Sequence, residues 1–292
     1  MSSYEDIATG YKRLKTTGDY GLIYTCNCGW VDLGHAFASS KDPTESAANL
    51  WTQIRAGGPD AKTGRMTCYK YTCGYPTPIG ARNYGYQNKA LWQMRQDGIA
   101  RFPDGRTGFR VTTSQKMRVP FFGGKVGSTK SFLIRHNLTE AQKKSIALSI
   151  FLIVSQSFER FQYMLEFGGV ANFAMQQLAG RPYDSGYSHE DLVSNLIGFY
   201  VAVGELTKAE ALEICHPVSE ATARKIWWTD GPVGSSKNQS FSPAFPPSTL
   251  MCTVENPNGY GDCAGQPQRF PEAFRQIKEA PIGQNFIPLA EV

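Results

Sequence analysis

The 292-residue chain lacks several patterns that assign a protein to a class directly. Its longest apolar stretch, residues 146–154, is about half as long as a membrane-spanning helix. It has no run of five or more Lys and Arg residues, so its net charge of +5 is dispersed instead of forming a nucleic-acid-binding patch. We therefore expect neither a membrane span nor a nucleic-acid partner.

The motifs of several common enzyme classes are also missing. There is no H-E-x-x-H metal motif, no G-x-S-x-G nucleophile elbow and no G-x-G-x-x-G dinucleotide loop. Residues 123–130 are rich in Gly and Lys but lack the Walker order, and the segment is typical of a hairpin loop. The sequence therefore predicts no cofactor and no resident metal.

Seven cysteines are present, so at least one thiol is free if the others pair. Their spacings do not match the C-x-x-C pairs of structural zinc sites. Cys252 and Cys263 bracket a turn-rich segment and predict a disulfide-stapled loop. Residues 1–7 lack the regions of a Sec signal. Two interpretations stay open: a reduced cytosolic protein, and one that reaches an oxidising space without a Sec signal.

Three regions follow one another, and we expect one compact unit. Its predicted class is α+β, predominantly helical, with a lysozyme-like helical core and a small antiparallel β region. Residues 1–136 mix short helices with strands, residues 137–228 are helical, and residues 229–292 form an irregular C-terminal wrap that holds nine of the 17 prolines.

Local signals predict the individual elements. The sequence D-P-T-E at 42–45 predicts a helix that ends at Ala56, and a strand pair is predicted at 64–73 and 105–122. Start and stop signals predict five further helices, at 139–167, 170–179, 188–203, 207–216 and 219–228.

The helix predicted over 139–167 is apolar on two sides, which is typical of a central helix. Its main apolar face is predicted to contain Ile146, Ile150, Val154, Phe158, Phe161, Met164 and Leu165, and its solvent stripe Ser145, Ser149, Gln156 and Arg160. Glu159 falls on the second apolar side with Leu152, and Glu166 follows two turns later. Apolar neighbours raise the pKa of a carboxyl toward the range of a proton donor. The alternative is a Glu159 that is exposed or paired with an arginine.

Residues 24–35 hold the densest group of reactive side chains. Asp32 and His35 are three residues apart and are neighbours if this segment is helical. Asp32 could then fix the tautomer of the imidazole, and the pair could relay a proton or bind a metal with His189 or Glu190. Two alternatives remain: a buried His35 bonded to a backbone carbonyl, and a Cys26 or Cys28 nucleophile that His35 activates.

Aromatic residues make up 12% of the chain, and several lie in Gly- and Asn-rich surroundings. Flat side chains beside amides suit sugar rings, which have apolar faces and hydroxyl rims. Trp30, Tyr84 and Tyr86 are the predicted substrate-binding residues. Ordinary packing is the alternative for all three.

The segments G-W-V-D-L-G-H at 29–35, S-F-E at 157–159 and S-H-E-D-L-V-S-N-L-I-G at 188–198 resemble a poorly characterised group of bacterial envelope-directed proteins. The organisation of the chain is similar to that of cell-wall hydrolase effectors of the type VI secretion system. The resemblance implies export without a signal peptide, attack on peptidoglycan in a rival's periplasm, and an immunity protein and secretion apparatus as partners. It points to Asp32, His35 and Glu159.

We therefore expect an antibacterial, lysozyme-like glycoside hydrolase with Glu159 as general acid. Asp32 is the predicted second carboxylate or water-positioning group, supported by His35. Glu166 is the alternative base, about 10.5 Å from Glu159 along the helix axis. Two other functions stay open. One is a peptidoglycan amidase or peptidase that uses Asp32 and His35 with a metal, or Cys28; the other is a non-catalytic protein that binds cell-wall carbohydrate.

Overall fold

The computed structural model describes most of the chain: residues 2–16, 18–38, 45–62, 67–68, 98–118, 125–167, 186–235, 237–245, 261–263, 265–266 and 268–291. The chain divides into two compact units. The first contains residues 1–48, 115–128 and 155–276, and the second contains residues 49–114, 129–154 and 277–292. The fold mixes helices and sheets, which confirms the α+β class.

Six α-helices and six strands are described. The helices are α1 (Tyr4–Leu14), α2 (Ala47–Ala56), α3 (Glu140–Phe167), α4 (Asp191–Ala202), α5 (Lys208–Cys215) and α6 (Glu220–Asp230). The strands are β1 (Leu22–Thr25), β2 (Gly29–Asp32), β3 (Thr67–Cys68), β4 (Gly108–Arg118), β5 (Lys125–Arg135) and β6 (Phe286–Glu291). A π-helical turn covers Gly34–Ala38. Of the described helices, none is long and apolar enough to cross a lipid bilayer.

Side-chain caps start α3, α5 and α6 at the residues that the sequence indicated, whereas the helix predicted from Ser188 begins at Asp191 without a side-chain cap. The Thr207 hydroxyl accepts a hydrogen bond from the Glu210 N–H at 3.2 Å, and Glu210 accepts one from the Thr207 N–H at 2.7 Å. α2 ends at Ala56, and Gly57 follows with a φ of 65°. The predicted helix 170–179 and the predicted cap at Asp42 lie outside the described residues.

The first unit is built around the β1–β2 hairpin, which packs on α1 and α6. The strands are antiparallel, and Tyr24 is opposite Trp30. The Trp30 ring lies 5.2 Å from that of Tyr24 and 5.9 Å from that of Trp227, each edge to face. α4 packs against β2 and the π-helical turn that follows it. This packing brings the N-terminus of α4 next to the end of β2.

A four-stranded sheet has the strand order β3–β6–β5–β4. The predicted pairing of residues 64–73 with 105–122 is wrong, because β3 pairs with β6 and the neighbour of β4 is β5. Residues 125–130 belong to β5 and not to a hairpin loop. β6 lies in the Pro-rich region, where no strand was expected, and Phe132 is opposite Pro288. Local signals do not show which distant strand will bury a given apolar face.

The faces of α3 agree with the predicted pattern at six positions and differ at two, and Gln156 and Arg160 are exposed as expected. Ile146, Ile150, Val154 and Phe158 are buried as expected. Met164 is exposed although it was placed on the apolar face, and Ser149 is buried although it was placed in solvent. The Ser149 hydroxyl bonds the backbone of Ala280, which explains its burial.

The cysteines pair differently from the prediction. Cys26 and Cys263 form a disulfide, so the predicted staple between Cys252 and Cys263 is wrong. The partners are 237 residues apart, and folding brings them together at the turn of the β1–β2 hairpin. Cys28 and Cys215 are buried free thiols.

Candidate functional site

A cluster of four carboxyl groups and one imidazole lies inside the first unit; we call it the acid cluster. Its members are Asp32, His35, Glu159, Glu190 and Asp191. They come from the end of β2, the π-helical turn, the middle of α3 and the start of α4. The carboxyls of Glu159, Glu190 and Asp191 are buried, Asp32 is half-buried, and 34% of the His35 side chain is exposed. Buried ionisable groups are costly, so this cluster is the candidate site.

Asp32 shapes the turn that carries the histidine. Its Oδ1 accepts hydrogen bonds from the backbone N–H of Gly34 at 2.6 Å and of His35 at 3.1 Å. Gly34 permits this turn, because a Cβ there would lie 2.9 Å from that carboxylate oxygen. Asp32 therefore fixes the backbone of His35.

The aspartate that contacts the imidazole is Asp191, not Asp32. The Nδ1 of His35 lies 3.2 Å from the Oδ1 of Asp191. The sequence placed Asp32 beside the imidazole on the condition that the segment is helical. Asp32 is instead the last residue of β2, where side chains three apart do not share a helical face.

Asp191 keeps a proton on His35. Burial alone would lower the pKa of His35, but the hydrogen bond and negative charge of Asp191 outweigh it and raise the pKa to about 10. The second oxygen of Asp191 accepts a hydrogen bond from the Ser188 N–H at 3.1 Å. At neutral pH, His35 is therefore an imidazolium that can donate a proton and is not a general base.

Glu159 is fully buried, at 0% exposure, which favours its protonated form. Burial raises its pKa well above the ordinary value, the charge of Asp191 adds to the increase, and the charge of His35 opposes it. Its Oε2 accepts one hydrogen bond, from the Tyr187 N–H at 3.0 Å. Its Oε1 has no hydrogen-bond partner among the described residues. No described Lys or Arg forms an ion pair with it, in contrast to one of the alternatives.

Glu190 is a second buried proton carrier, which the sequence suggested only as a metal ligand. Burial and the charge of Asp191 raise its pKa to about 8. The Ser2 hydroxyl lies 2.8 Å from Glu190 and 3.2 Å from Asp32. The Ser2 hydroxyl has one hydrogen, so it donates to one of these two carboxyls at a time.

The arrangement can store protons in the protein interior. Four ionised carboxylates beside one imidazolium would give the cluster three excess negative charges. Protons on Glu159 and Glu190 remove two of these charges. The chemistry that this geometry offers is proton donation near neutral pH.

Trp30 does not present a sugar-binding face. Its ring is buried between Tyr24 and Trp227, so the predicted substrate-binding role is corrected here to packing in the core. Tyr84 and Tyr86 lie outside the described residues. The backbone of Glu166 lies in α3, but its side chain is not among those described, so its distance from Glu159 stays a prediction.

The thiol and metal alternatives gain no support from the described residues. Burial raises the pKa of Cys28 well above the ordinary value, and its contact with the Cys215 thiol adds to the increase, which opposes activation as a nucleophile. Burial lowers the pKa of His189. In the parts of the chain that the structure describes, no three His, Cys, Asp or Glu side chains are arranged to hold a metal ion.

Comparison of this chain with protein-family models, curated proteins and solved structures found no match. The resemblance to cell-wall hydrolase effectors therefore stays a prediction from short motifs. A functional proposal has to rest on the chemistry of the acid cluster.

Proposed function

We propose that this protein is a peptidoglycan-degrading glycoside hydrolase with a lysozyme-like helical core and Glu159 as its general acid. The observation that carries the proposal is a buried glutamic acid whose pKa is raised well above the ordinary value beside a half-exposed histidine. A glycosidase needs a carboxyl that keeps its proton at neutral pH in order to protonate the leaving oxygen.

The second carboxylate of the proposed mechanism is Asp32. It is half-buried, and its hydrogen bonds to Gly34, His35 and Ser2 hold it in one orientation. In an inverting glycosidase the second carboxylate accepts a proton from the attacking water. In the proposed mechanism His35 contributes positive charge next to the acid. After each turnover it passes its proton to Glu159 and takes up the proton that Asp32 accepted from water.

In the proposed mechanism, Tyr187 has to move before a substrate reaches Glu159. The Tyr187 backbone bonds the carboxyl of Glu159, and its hydroxyl donates to the Gln156 carbonyl at 3.3 Å, one turn earlier on α3. Tyr187 has a φ of 55°, which is an uncommon conformation for a residue with a side chain. In the proposed mechanism, glycan binding displaces Tyr187 and gives the leaving oxygen access to the acid.

Action on peptidoglycan also determines where the protein would work. We propose that it is delivered by a type VI apparatus to the periplasm of a target cell. Its producer would then need an immunity protein. The dispersed net charge of +5 favours approach to an anionic cell wall.

The test is digestion of purified peptidoglycan by the wild type and two glutamine variants. We expect Glu159→Gln to fold normally and to lose at least about 100-fold of the reducing-end release, because an amide cannot donate the required proton. Glu140→Gln is the matched control, since Glu140 is exposed on the same helix. It should retain wild-type activity.

Three results would contradict the proposal. The first is wild-type turnover by Glu159→Gln. The second is mass spectrometry that finds freed stem peptides and intact glycan strands, which would favour an amidase or peptidase. The third is binding to cell wall without any product, which would favour a non-catalytic carbohydrate-binding protein.

A further inference from the structure

Four cysteines meet at the turn of the β1–β2 hairpin. Cys26 and Cys28 lie on the turn, Cys263 is joined to Cys26 by the disulfide, and Cys215 is the last residue of α5. All four residues are buried. The thiol of Cys28 hydrogen-bonds the thiol of Cys215. The turn therefore holds one formed disulfide and, beside it, one pair of reduced thiols in contact with each other.

Backbone hydrogen bonds keep the two thiols together. The N–H of Cys26 donates to the carbonyl of His216 at 2.9 Å, and the N–H of Asn27 donates to the carbonyl of Cys215 at 3.0 Å. The side-chain amide of Asn27 donates to the carbonyl of Ile214 at 3.0 Å. A disulfide fits only where the backbone positions of its two cysteines are already close. These hydrogen bonds fix the turn on the end of α5 and hold the two segments in that proximity.

Burial protects the thiol pair from oxidation once the protein has folded. A disulfide forms by attack of a thiolate, and burial raises the pKa of Cys28 well above the ordinary value. Both thiols are also out of reach of a dissolved oxidant, because Cys28 and Cys215 are buried. A bond between them therefore has to form while the chain is folding, before the turn is packed on α5.

We propose that Cys28 and Cys215 form a second disulfide when the chain folds in the presence of a small disulfide oxidant such as glutathione disulfide. The Cys28 thiolate attacks a sulfur of the oxidant, forms a mixed disulfide and releases one glutathione thiolate. The Cys215 thiolate then attacks the Cys28 sulfur and releases the second glutathione thiolate. The two protein thiols lose two electrons and two protons, and the oxidant gains both and becomes two glutathione molecules.

The second disulfide distinguishes chains that fold in the two compartments that the sequence left open. In a reducing cytosol the thiols of Cys28 and Cys215 stay reduced. In an oxidising space the hairpin turn is joined to Cys263 by one bond and to α5 by the other. The second bond closes a long loop, so it restricts the unfolded chain and stabilises the folded one. This inference is independent of the proposed hydrolase function.

The test is a disulfide map of the protein synthesised in a cell-free system, once with a glutathione redox buffer and once with dithiothreitol. Free thiols are alkylated after unfolding, and tryptic peptides are analysed by mass spectrometry without reduction. With glutathione, we expect the Cys215 peptide to be joined to the peptide that contains Cys26 and Cys28. With dithiothreitol, we expect Cys215 to be alkylated. Cys28→Ser should make Cys215 alkylated under both conditions, whereas the matched control Cys252→Ser should keep the link.

Urea unfolding gives a second measurement of the same bond. With glutathione, the unfolding midpoint of the wild type should be about 1 M urea higher than that of Cys28→Ser. Dithiothreitol should remove most of this difference. The part of the difference that dithiothreitol removes is due to the bond, and the part that remains is due to the buried serine hydroxyl.

Three results would overturn the second disulfide. They are an alkylated Cys215 in the wild type made with glutathione, a Cys215 link that persists in Cys28→Ser, and a midpoint difference that dithiothreitol leaves unchanged. Failure of the proposed function is separate, because neither measurement uses peptidoglycan.

Discussion

Two histidine–aspartate pairs in this protein have similar contacts and different surroundings. His35 lies 3.2 Å from Asp191 in the first unit, and His136 lies 2.9 Å from Asp60 in the second. In both pairs 34% of the histidine side chain is exposed. The side chain of Asp191 is 7% exposed, whereas that of Asp60 is 40% exposed.

The comparison shows that the surroundings of the carboxylate distinguish a candidate site from a surface ion pair. Asp191 is buried beside two other carboxyls, so its charge raises the pKa of Glu159 and of Glu190. Asp60 faces water, and hydrogen bonds from Thr107 and His136 lower its pKa. Water screens the charges of His136 and Asp60, whereas the buried charge of Asp191 is screened much less.

The largest expected difference between the two pairs is in activity. His35→Ala should lower reducing-end release from peptidoglycan by about 100-fold. It removes the imidazolium that, in the proposed mechanism, passes a proton to Glu159. His136→Ala removes the histidine of the exposed pair and should leave the rate unchanged. Both variants are assayed at the same pH, with circular dichroism as the check of folding. Equal losses in the two variants would contradict the distinction.

A smaller difference is expected between the acid cluster and the exposed pair in how the free energy of unfolding depends on pH. Glu190 has a folded pKa of about 8, above the ordinary value for an unfolded glutamate, so the folded protein binds the extra proton. Its contribution to stability is present at low pH and is lost as the pH rises toward 8. His35 acts in the same direction, since its pKa is raised to about 10, and its contribution is lost as the pH rises from about 6.5 through 10.

Urea unfolding between pH 5 and 9 measures this effect. The free energy of unfolding of the wild type should fall with pH, by up to about 1.4 kcal/mol per pH unit for the proton on Glu190. Glu190→Gln should make the decline between pH 5 and 8 shallower without removing it, because the pKa values of Glu159 and His35 are also raised and contribute to the same decline. Asp60→Asn, in the exposed pair, should leave that slope unchanged. A wild-type slope that persists in Glu190→Gln would contradict the buried proton.

The elements that sequence analysis predicted best depend on neighbours within a few residues. The caps at Thr139, Thr207 and Ser219 and the glycine stop at Gly57 are of this kind, because each hydrogen bond closes within one turn. The raised pKa of Glu159 agrees with its position on the helical wheel. Periodicity alone placed it away from solvent.

The remaining features depend on contacts between distant residues. Glu190 and Asp191 look like ordinary acids at a helix start, and only the approach of Ser2 and His35 shows their role in the acid cluster. The disulfide between Cys26 and Cys263 and the pairing of β6 with β5 also depend on contacts between residues far apart in the sequence. A local pattern contains no information on which distant partner will supply a charge, a thiol or a strand edge.

The most direct test of the account is a titration of the Glu159 carboxyl by carbon NMR in protein labelled at the glutamate side-chain carboxyls. The resonance is assigned by its absence in Glu159→Gln. We predict that it keeps the chemical shift of a protonated acid well above the pH at which an ordinary glutamate titrates. Titration near the ordinary glutamate pKa, between about 4 and 5, would contradict a buried proton donor and the function built on it.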